Sequence, residues 1–467
     1  MATAGTATAA TGGDKYADLR RRAIFLVLAL IVYRVGTHIP VPLIDPDQFR
    51  QQFANQQNGI LGLLNMFSGG ALSRFSIFSI GIMPYISASI ILQMLAYVLP
   101  SLEALRKEGE SGRRKITQYT RYATVGLATV QAYLAISAIE SVPNLAIEPG
   151  FLFRFVGVTS LVTGSMFLMW LGEQITERGI GNGMSLLIFT GIVVGLPKAI
   201  ENIYQNVVIT KQWSLIHLII ILAMMIAVVA FIVLVERGER RIPVQYAKRV
   251  VGRRMMGGQS THLPLKVNAG GVIPVIFASS LLAFPQTLMQ VSWVRSSPAI
   301  SGMLQSISGA QPLYYLLFVA LIIFFCFFYV SIIFNPNEAA DNMRKYGGFI
   351  PGIRPGKNTA DYMNKILTKI TVVGGLYLSI LSLIPQIMIQ GIKLQRLPLV
   401  GNFIDTWFPR WLLDGLGVNF YFGGTSLLIV VGVAMDTVNQ VEAQLIMRHY
   451  EGFTPRAGRI RGRRGSV

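Results

Sequence analysis

The chain has few of the side chains from which catalytic and metal sites are built. It contains one cysteine and four histidines in 467 residues, and only 13% of its residues are charged. Cys326 lies in an apolar run, so no disulfide framework exists, and the scattered histidines argue against a structural metal site. We find no Gly-x-Ser-x-Gly, no His-Glu-x-x-His and no phosphate-binding loop. The sequence therefore predicts a protein that is not an enzyme and that has no metal or cofactor.

Hydrophobic residues, in contrast, are abundant, at 52% of the chain. Soluble domains carry about 25% charged residues, roughly twice the share found here. A helix needs about 20 residues to cross a bilayer, and ten apolar segments of about that length occur. They lie near residues 23–42, 75–99, 119–139, 154–173, 184–206, 214–235, 271–293, 313–334, 367–390 and 422–443. The expected fold is an all-α polytopic membrane protein with ten transmembrane helices.

The net charge of +19 would suggest nucleic-acid binding in a soluble protein. The distribution of charge argues for a different interpretation. With ten spans, both termini and the even-numbered connections share one side of the membrane, and most of the 41 basic residues fall on that side. An excess of Lys and Arg marks the cytoplasmic side, so both termini are predicted to be cytoplasmic.

The ten spans divide into two sets of five. The N-terminal half comprises residues 23–210 and the C-terminal half residues 211–443, flanked by cytoplasmic tails at 1–22 and 444–467, the second of them basic. Because five is odd, a second half with the same fold must be inverted in the membrane. Inverted repeats are typical of transport proteins, whose working site lies at the interface between the repeats.

A nine-residue frame occurs once in each half, on spans two and seven. Residues 81–89 and 271–279 share five of nine positions, in the order Gly, Pro, Ile, Ala and Ser. Chance similarity in a chain rich in Gly, Ile and Ala is the alternative. A proline within a span predicts a kink or an interruption of its hydrogen bonds.

An apolar segment at residues 60–68 is too short to cross a bilayer. Gly69 and Gly70 interrupt it, so we interpret it as a re-entrant half-helix, which is tolerated only inside protein or beside a water-filled cavity. Ile82 and Ile86 follow one helical turn apart, and Ile276 holds the matching place in the second repeat. These residues predict an apolar constriction that excludes water, although ordinary helix packing would use the same residues.

Two predicted cytoplasmic loops, 236–270 and 335–367, are longer than simple turns require. Both are basic and contain the prolines and glycines that stiffen loop tips. Loops on the cytoplasmic side of a membrane generally carry an excess of Lys and Arg, which accounts for the charge of these two loops but not for their length. We therefore interpret them as a docking surface for a cytosolic partner.

Four longer strings resemble a known family. They are NMFSGGAL at 65–72, GIMPYI at 81–86, QSTHLPLKVN at 259–268 and GIRPG at 352–356. They closely resemble the SecY family, the bacterial protein-conducting channels, over roughly residues 16–450. The resemblance implies a clamshell of two inverted halves with a plug near 60–72. It further implies passage of unfolded polypeptides across the inner (plasma) membrane, and sideways release of membrane segments through a lateral gate between spans two and three and spans seven and eight.

The resemblance also implies roles for individual residues. The pore ring comprises Ile82, Ile86, Met184, Ile188, Ile276 and Ile429. The plug contains Leu61, Leu64, Asn65, Met66, Phe67, Ser68, Gly69 and Gly70. The lateral gate is lined by Ser87, Gln93, Gln131 and Ser279. The surface that docks a cytosolic partner includes Arg240, Arg241, Lys248, Arg249, Arg253, Arg254 and Arg354. Many relatives have Ile where this chain has Met184, and a flexible Met should preserve the seal.

The partners implied by the resemblance are the small membrane subunits SecE and SecG, the SecA motor ATPase, the ribosome, signal-bearing precursor polypeptides and membrane lipid. No nucleic-acid specificity is expected beyond contact with the ribosome. A secondary transporter is the alternative, but it would show polar ligands at the membrane midplane, where this chain has isoleucine. An intramembrane enzyme would need a nucleophile and base, and we find no such pair.

Overall fold

The structure is a computed structural model that describes residues 17–54, 65, 68–140, 142, 145–205, 209, 215–246, 249–251, 254–256, 260–288, 294, 296–307, 311–390 and 424–451. Within these ranges, five helices are long and apolar enough to cross a membrane, or six if one bent pair is counted as a single span. An all-α polytopic membrane protein is therefore confirmed. The count of ten spans remains a prediction.

The N-terminal half is helical apart from short connections. Its helices are α1 (Ala17–Gly36), α2 (Pro46–Ala54), α3 (Met83–Val98), α4 (Pro100–Lys107), α5 (Glu110–Glu140), α6 (Phe151–Arg178), α7 (Gly183–Val194) and α8 (Leu196–Tyr204), with a 3₁₀ turn at Leu72–Arg74. Helices α5 and α6 are the long spans of this half. Helices α3 and α7 are much shorter, and their N-termini adjoin the candidate site.

The C-terminal half combines helices with a small amount of sheet. Its helices are α9 (Leu215–Arg237), α10 (Ile273–Leu288), α11 (Pro298–Ser306), α12 (Pro312–Ile333), α13 (Pro336–Lys345), α14 (Lys357–Gln390) and α15 (Gly424–Glu451). Its strands are β1 (Glu239–Tyr246), β2 (Arg249–Val251), β3 (Arg254–Met256), β4 (Ser260–Lys266) and β5 (Gly348–Phe349).

The second span differs from its predicted range of 75–99. Its helix begins only at Met83, because the preceding residues form turns in which Phe75 and Gly81 have positive φ angles of 43° and 64°. The helix ends before Pro100, where the chain bends by 96° into α4. Leu99 is extended there, as residues before proline tend to be.

The two copies of the repeated frame have the same local structure. Gly81 and Gly271 have φ angles of 64° and 58°, a conformation that favours glycine, and each is followed two residues later by the start of a helix. The expected proline kink is wrong. Pro84 and Pro274 are the second residues of α3 and α10, where a missing amide breaks no hydrogen bond and the ring fits the helix.

One extended apolar core joins the two halves. It includes buried side chains from α1, α3, α6 and α7 and from α9, α10, α12, α14 and α15. A second cluster, centred on Ile136, Phe153 and Leu161, packs α5 against α6. The site described below lies within the first of these clusters.

The two long loops that were predicted to be cytoplasmic are joined by an antiparallel sheet, which the sequence did not predict. Its strand order is β4-β1-β5. Gln245 of β1 lies opposite Phe349 of β5, so the loop at 236–270 is paired with the loop at 335–367. Ile242 and Leu265 of the sheet pack against Met363 of α14. This packing holds both loops at the same end of the C-terminal half.

Candidate functional site

The six residues assigned to a pore ring all contribute to the extended apolar core. Ile82, Ile86, Ile188, Ile276 and Ile429 are buried within it, and Met184 packs against it half-buried. They come from the starts of α3 and α7, from the first turn of α10 and from α15, and therefore from both halves. Ile276 is the most exposed of the five isoleucines, at 7%, so none of them faces outward.

The start of α7 is fixed by a polar cap and a close backbone approach. The Asn182 side chain accepts hydrogen bonds from the amides of Met184 and Ser185 at 3.0 and 3.4 Å, as N-cap residues do. A Cβ atom at Gly183 would lie 1.9 Å from the carbonyl oxygen of Gly172 in α6. The Met184 sulfur fills the space beside Gly172, since it lies 2.5 Å from where a Cβ atom of Gly172 would be.

A glycine also brings α15 against the start of α10. A Cβ atom at Gly432 would lie 2.3 Å from Cγ2 of Val272, which is buried in the same core as Ile429. Val272 occupies the position in the second repeat that Ile82 occupies in the first. The repeated frames therefore present matching aliphatic residues to the same core.

Asn268, just before the second repeat, is a site residue that sequence reasoning missed. Its buried side chain donates hydrogen bonds to Glu236 Oε1 at 2.6 Å and to the Gly271 carbonyl at 3.1 Å. It therefore ties the end of α9 to the turn that begins α10. The only sequence signal for it was its place at the end of the string at 259–268.

The predicted plug is described only at its C-terminal end. Leu61, Leu64, Met66 and Phe67 lie outside the described residues, whereas Asn65, Ser68, Gly69 and Gly70 are described. The Asn65 side chain is buried and accepts a hydrogen bond from the Ser73 amide at 2.8 Å. Its carbonyl accepts the Gly70 amide at 2.8 Å. These bonds close the segment into a compact turn.

That turn is attached to α1 and α7. Arg34 Nη1 donates to the Gly69 carbonyl at 2.9 Å. A Cβ atom at Gly69 would lie 3.2 Å from both Gly191 Cα and Tyr33 Oη, and Gly69 has a φ of 66°. The end of the predicted plug segment therefore rests on the helix that carries Ile188.

Two of the four side chains assigned to the lateral gate make hydrogen bonds within their own helices. Gln93 donates to Ser89 Oγ at 3.0 Å, and Ser279 donates to the Ile276 carbonyl at 2.9 Å. Ser87 on α3 and Gln131 on α5 are half-buried. The gate role of these four residues remains a prediction.

Other side chains meet where α3 of the first half faces α10 and α12 of the second. The Ser280 hydroxyl donates to the Ile276 carbonyl at 2.8 Å and lies 3.3 Å from the Met83 sulfur. Tyr97 and Phe328 meet edge to face, with ring centroids 5.6 Å apart. We call this junction the front seam. Nothing in the local sequence marks Tyr97 and Phe328 as partners, whereas Ser280 is adjacent to the predicted Ser279.

A stronger contact holds the first half together. Arg121 of α5 donates to both carboxylate oxygens of Glu173 in α6, at 3.1 and 2.7 Å. A bidentate pair of this kind fixes geometry as well as adding attraction. The pair therefore joins two neighbouring spans of one half.

The residues assigned to cytosolic docking lie on the sheet and in the turn beyond β5. Arg240 and Arg241 are exposed on β1, and Arg249 and Arg254 belong to the β2–β3 hairpin. Lys248 and Arg253 lie outside the described residues. The Arg354 side chain is exposed, and its carbonyl accepts a hydrogen bond from Thr359 Oγ1 at 3.0 Å.

These features define a class of protein. Apolar spans in two halves, with aliphatic side chains from both halves buried in one shared core, are compatible with an α-helical membrane channel. The chain belongs to the SecY family, whose sequence profile matches residues 76–438. It is thus a pore-forming subunit of a protein translocase.

Individual relatives agree with this assignment. The chain is 49% identical to the protein translocase subunit SecY of Escherichia coli strain K12, over 94% of this chain and 95% of the relative. Its fold is similar to that of a solved protein-conducting channel, with a TM-score of 0.64 at 18% identity, covering 93% of this chain and 95% of the other. It is also similar to Sec61 in the canine ribosome–channel complex from the endoplasmic reticulum, with a TM-score of 0.60, 18% identity and the same two coverages.

Removing the Arg34 side chain should loosen the turn at residues 68–73. Arg34→Ala deletes a charge-assisted hydrogen bond to Gly69, and such bonds contribute about 1.5–3 kcal/mol. We expect the amides of Gly70 and Ser73 to exchange with solvent deuterium roughly 10- to 100-fold faster. Hydrogen-exchange mass spectrometry of the purified protein measures this change.

Arg34→Lys keeps a positive donor at the same place and is the matched control. It should restore part of the protection. Equal exchange at residues 70–73 in the Ala variant and in the parent would contradict an anchoring role for Arg34.

Proposed function

We propose that this chain forms the channel through which unfolded polypeptides cross the bacterial inner membrane and from which membrane segments leave sideways into lipid. Both termini face the cytoplasm in this proposal, and SecE and SecG are its small membrane subunits. One observation carries the proposal. Ile82, Ile86, Ile188, Ile276 and Ile429 from both halves, together with Met184, contribute to one apolar core where short helices begin.

An aliphatic ring suits the passage of a polypeptide. Hydrophobic constrictions exclude water and so block small ions when the channel rests. Isoleucine side chains form no hydrogen bonds and a methionine sulfur accepts only weak ones, so they can surround varied residues without binding any of them tightly. The ring supplies no driving force, which must come from a cytosolic partner.

The plug and the lateral gate complete the proposal. The turn at 68–70, held by Arg34 against α1 and α7, is the fixed end of a plug that stoppers the ring from the outer side. The front seam, where Met83 and Tyr97 of α3 meet Ser280 and Phe328, is the lateral gate. The kind of contact at the front seam supports this role. A contact with a sulfur atom and an edge-to-face contact between two rings are each weak enough to break when the gate opens.

The exposed arginines of the sheet and of the turn at 350–356 form the docking surface for SecA or the ribosome. The antiparallel pairing of β1 with β5 holds Arg240 and Arg241 on the same cytosolic unit as Arg354. The canine relative described above was solved with a ribosome, which supports a ribosome contact for this family's cytosolic face.

Reconstitution tests the proposed function. Vesicles that contain the chain with SecE and SecG should import a signal-bearing precursor when SecA and ATP are supplied, and should not import it without ATP. The imported precursor is measured by its protection from added protease. Absence of import with a SecA preparation that is active on a known channel would overturn the proposal.

Replacing isoleucines of the ring by serine should raise the leakage of ions through resting channels. Ile86→Ser and Ile276→Ser replace buried aliphatic groups by smaller polar ones, which weakens the exclusion of water. We expect the chloride conductance of resting vesicles to rise several-fold. Ile91→Ser on the same helix is the control, because Ile91 is 44% exposed and lies away from the core. Equal leakage in the ring and control variants would mean that the ring residues only pack.

Reversing the charge at Arg354 should weaken SecA-driven import without unfolding the protein. Its side chain is exposed and the bond from Thr359 uses only its carbonyl, so Arg354→Glu should leave the melting temperature nearly unchanged. We expect import to fall at least several-fold. Arg50→Glu makes the same charge change on the exposed helix α2 and should import normally. Normal import by Arg354→Glu would remove this turn from the docking surface.

A further inference from the structure

The exposed arginine of α4 rests on the front seam. Arg106 Cζ lies 4.0 Å from the centroid of the Tyr97 ring, within the range of a cation–π contact. Tyr97 in turn meets Phe328 edge to face at 5.6 Å. The three side chains form a continuous stack from a cytoplasmic loop helix, through α3, to α12 of the opposite half.

The bend at Pro100 makes this stack possible. Because α4 turns by 96° from the axis of α3, the helix folds back and Arg106 reaches a ring that precedes it by nine residues. The bend is fixed locally by the extended Leu99 and by hydrogen bonds from the Leu102 and Glu103 amides to the Leu99 carbonyl, at 3.1 and 3.0 Å.

The far end of the stack continues into the second half. Phe328 is stacked on Phe324, with ring centroids 6.2 Å apart and ring planes 8° apart. Phe324 meets Phe325, which lies edge to face against Phe277 of α10 at 5.7 Å. Tyr97 therefore contacts an aromatic group that already connects α12 with α10.

We propose that Arg106 is a positioning residue, which holds the Tyr97 ring against Phe328 and so favours the closed front seam. The inference rests on the proposed function, because it takes the front seam to be the lateral gate. In this inference Arg106 acts on the seam through its contact with the Tyr97 ring. The cytoplasmic helix α4 is thereby coupled to the gate, since moving Arg106 away removes the group that restrains the ring.

The neighbouring Lys107 provides a matched control. It lies one residue further along α4, carries the same charge and is also exposed. Its ammonium group lies 2.7 Å from Glu103 Oε1, and that hydrogen bond together with its charge lowers the pKa of the Glu103 carboxyl. Its contact is thus made within α4 and not with the front seam.

The test measures SecA-driven import of a precursor with a weakened signal, relative to the same precursor with its full signal. If the front seam opens more readily, the channel should import a precursor whose signal sequence binds only weakly. We expect Arg106→Ala, Tyr97→Leu and Phe328→Leu each to raise this ratio about 2- to 5-fold, as the loss of one cation–π or ring contact predicts. Lys107→Ala should leave it unchanged. Tyr97→Phe keeps the ring and should resemble the parent, and Arg106→Lys should fall between the parent and Arg106→Ala.

The double variant separates a positioning role from a general effect of charge. If Arg106 acts through Tyr97, the double variant Arg106→Ala, Tyr97→Leu should have the same import ratio as Tyr97→Leu alone. Full additivity, or an effect of Lys107→Ala as large as that of Arg106→Ala, would overturn the inference.

A separate measurement tests the gate itself. A photo-reactive group placed at Ser87 of α3 should cross-link to the signal of an engaged precursor in the parent channel. Absence of this cross-link in a channel that imports normally would disprove the gate at the front seam. If the parent channel cross-links to the signal but Arg106→Ala leaves the import ratio unchanged, the gate stands and only the role of Arg106 is disproved.

Discussion

Backbone amide groups at the start of a helix cannot be left unpaired where no water reaches them. Helices α3 and α10 both start beside the buried aliphatic core, and both pair two amides of the first turn in the same way. The carbonyl of Ile82 accepts the amides of Tyr85 and Ile86, each at 3.1 Å, and the carbonyl of Val272 accepts the corresponding amides of the second repeat, at 3.1 and 3.3 Å. A proline at the second position removes one more donor. Because both helix starts are fixed, the isoleucines of their first turns are fixed as well.

Contacts within the first half and contacts across the front seam differ in kind. Arg121 and Glu173 join α5 to α6 by a charged, bidentate pair, and α6 touches α7 backbone to backbone at Gly172. Across the front seam, a hydroxyl lies near a sulfur and two rings meet edge to face, beside the apolar core that both halves share. Charge-assisted bonds are roughly twice as strong as neutral ones. Charged contacts thus occur within the first half and neutral contacts across the front seam, which is the distribution that the proposed lateral gate requires.

Much of the fold and of the core could be predicted from the sequence because its signals are local. Long apolar runs predicted the membrane-spanning helices. The repeated nine-residue frame predicted that Ile86 and Ile276, each the sixth residue of its copy, occupy equivalent positions in the two halves. The start of the second span was predicted eight residues too early, because the turn residues at 75–82 are nearly as apolar as a helix. The kink predicted at Pro84 and Pro274 was wrong for a related reason. The pattern of apolar residues does not show where an apolar helix begins, so a proline in its first turn looks like one in its interior.

Contacts between distant segments were beyond reach of sequence reasoning. Tyr97 and Phe328 meet only because two halves fold together, and neither has a neighbour that marks it. The pairing of Gln245 with Phe349 joins loops that are remote in the chain, and β5 is too short to show an alternating pattern. The hydrogen bonds that Gln93 and Ser279 make within their own helices could not be predicted either, because a polar side chain in a helix can pair with its own helix or with a neighbouring one.

The antiparallel sheet is connected by a short stretch of chain to the helix that carries Ile276. Strand β4 ends at Lys266, and the chain then passes through Asn268, which is tied to the end of α9, and through the Gly271 turn into α10. Ile276 lies ten residues beyond the end of β4, along a stretch of chain that the Asn268 side chain holds in place. The sheet therefore couples the positions of both loops to the start of α10, where Ile276 lies.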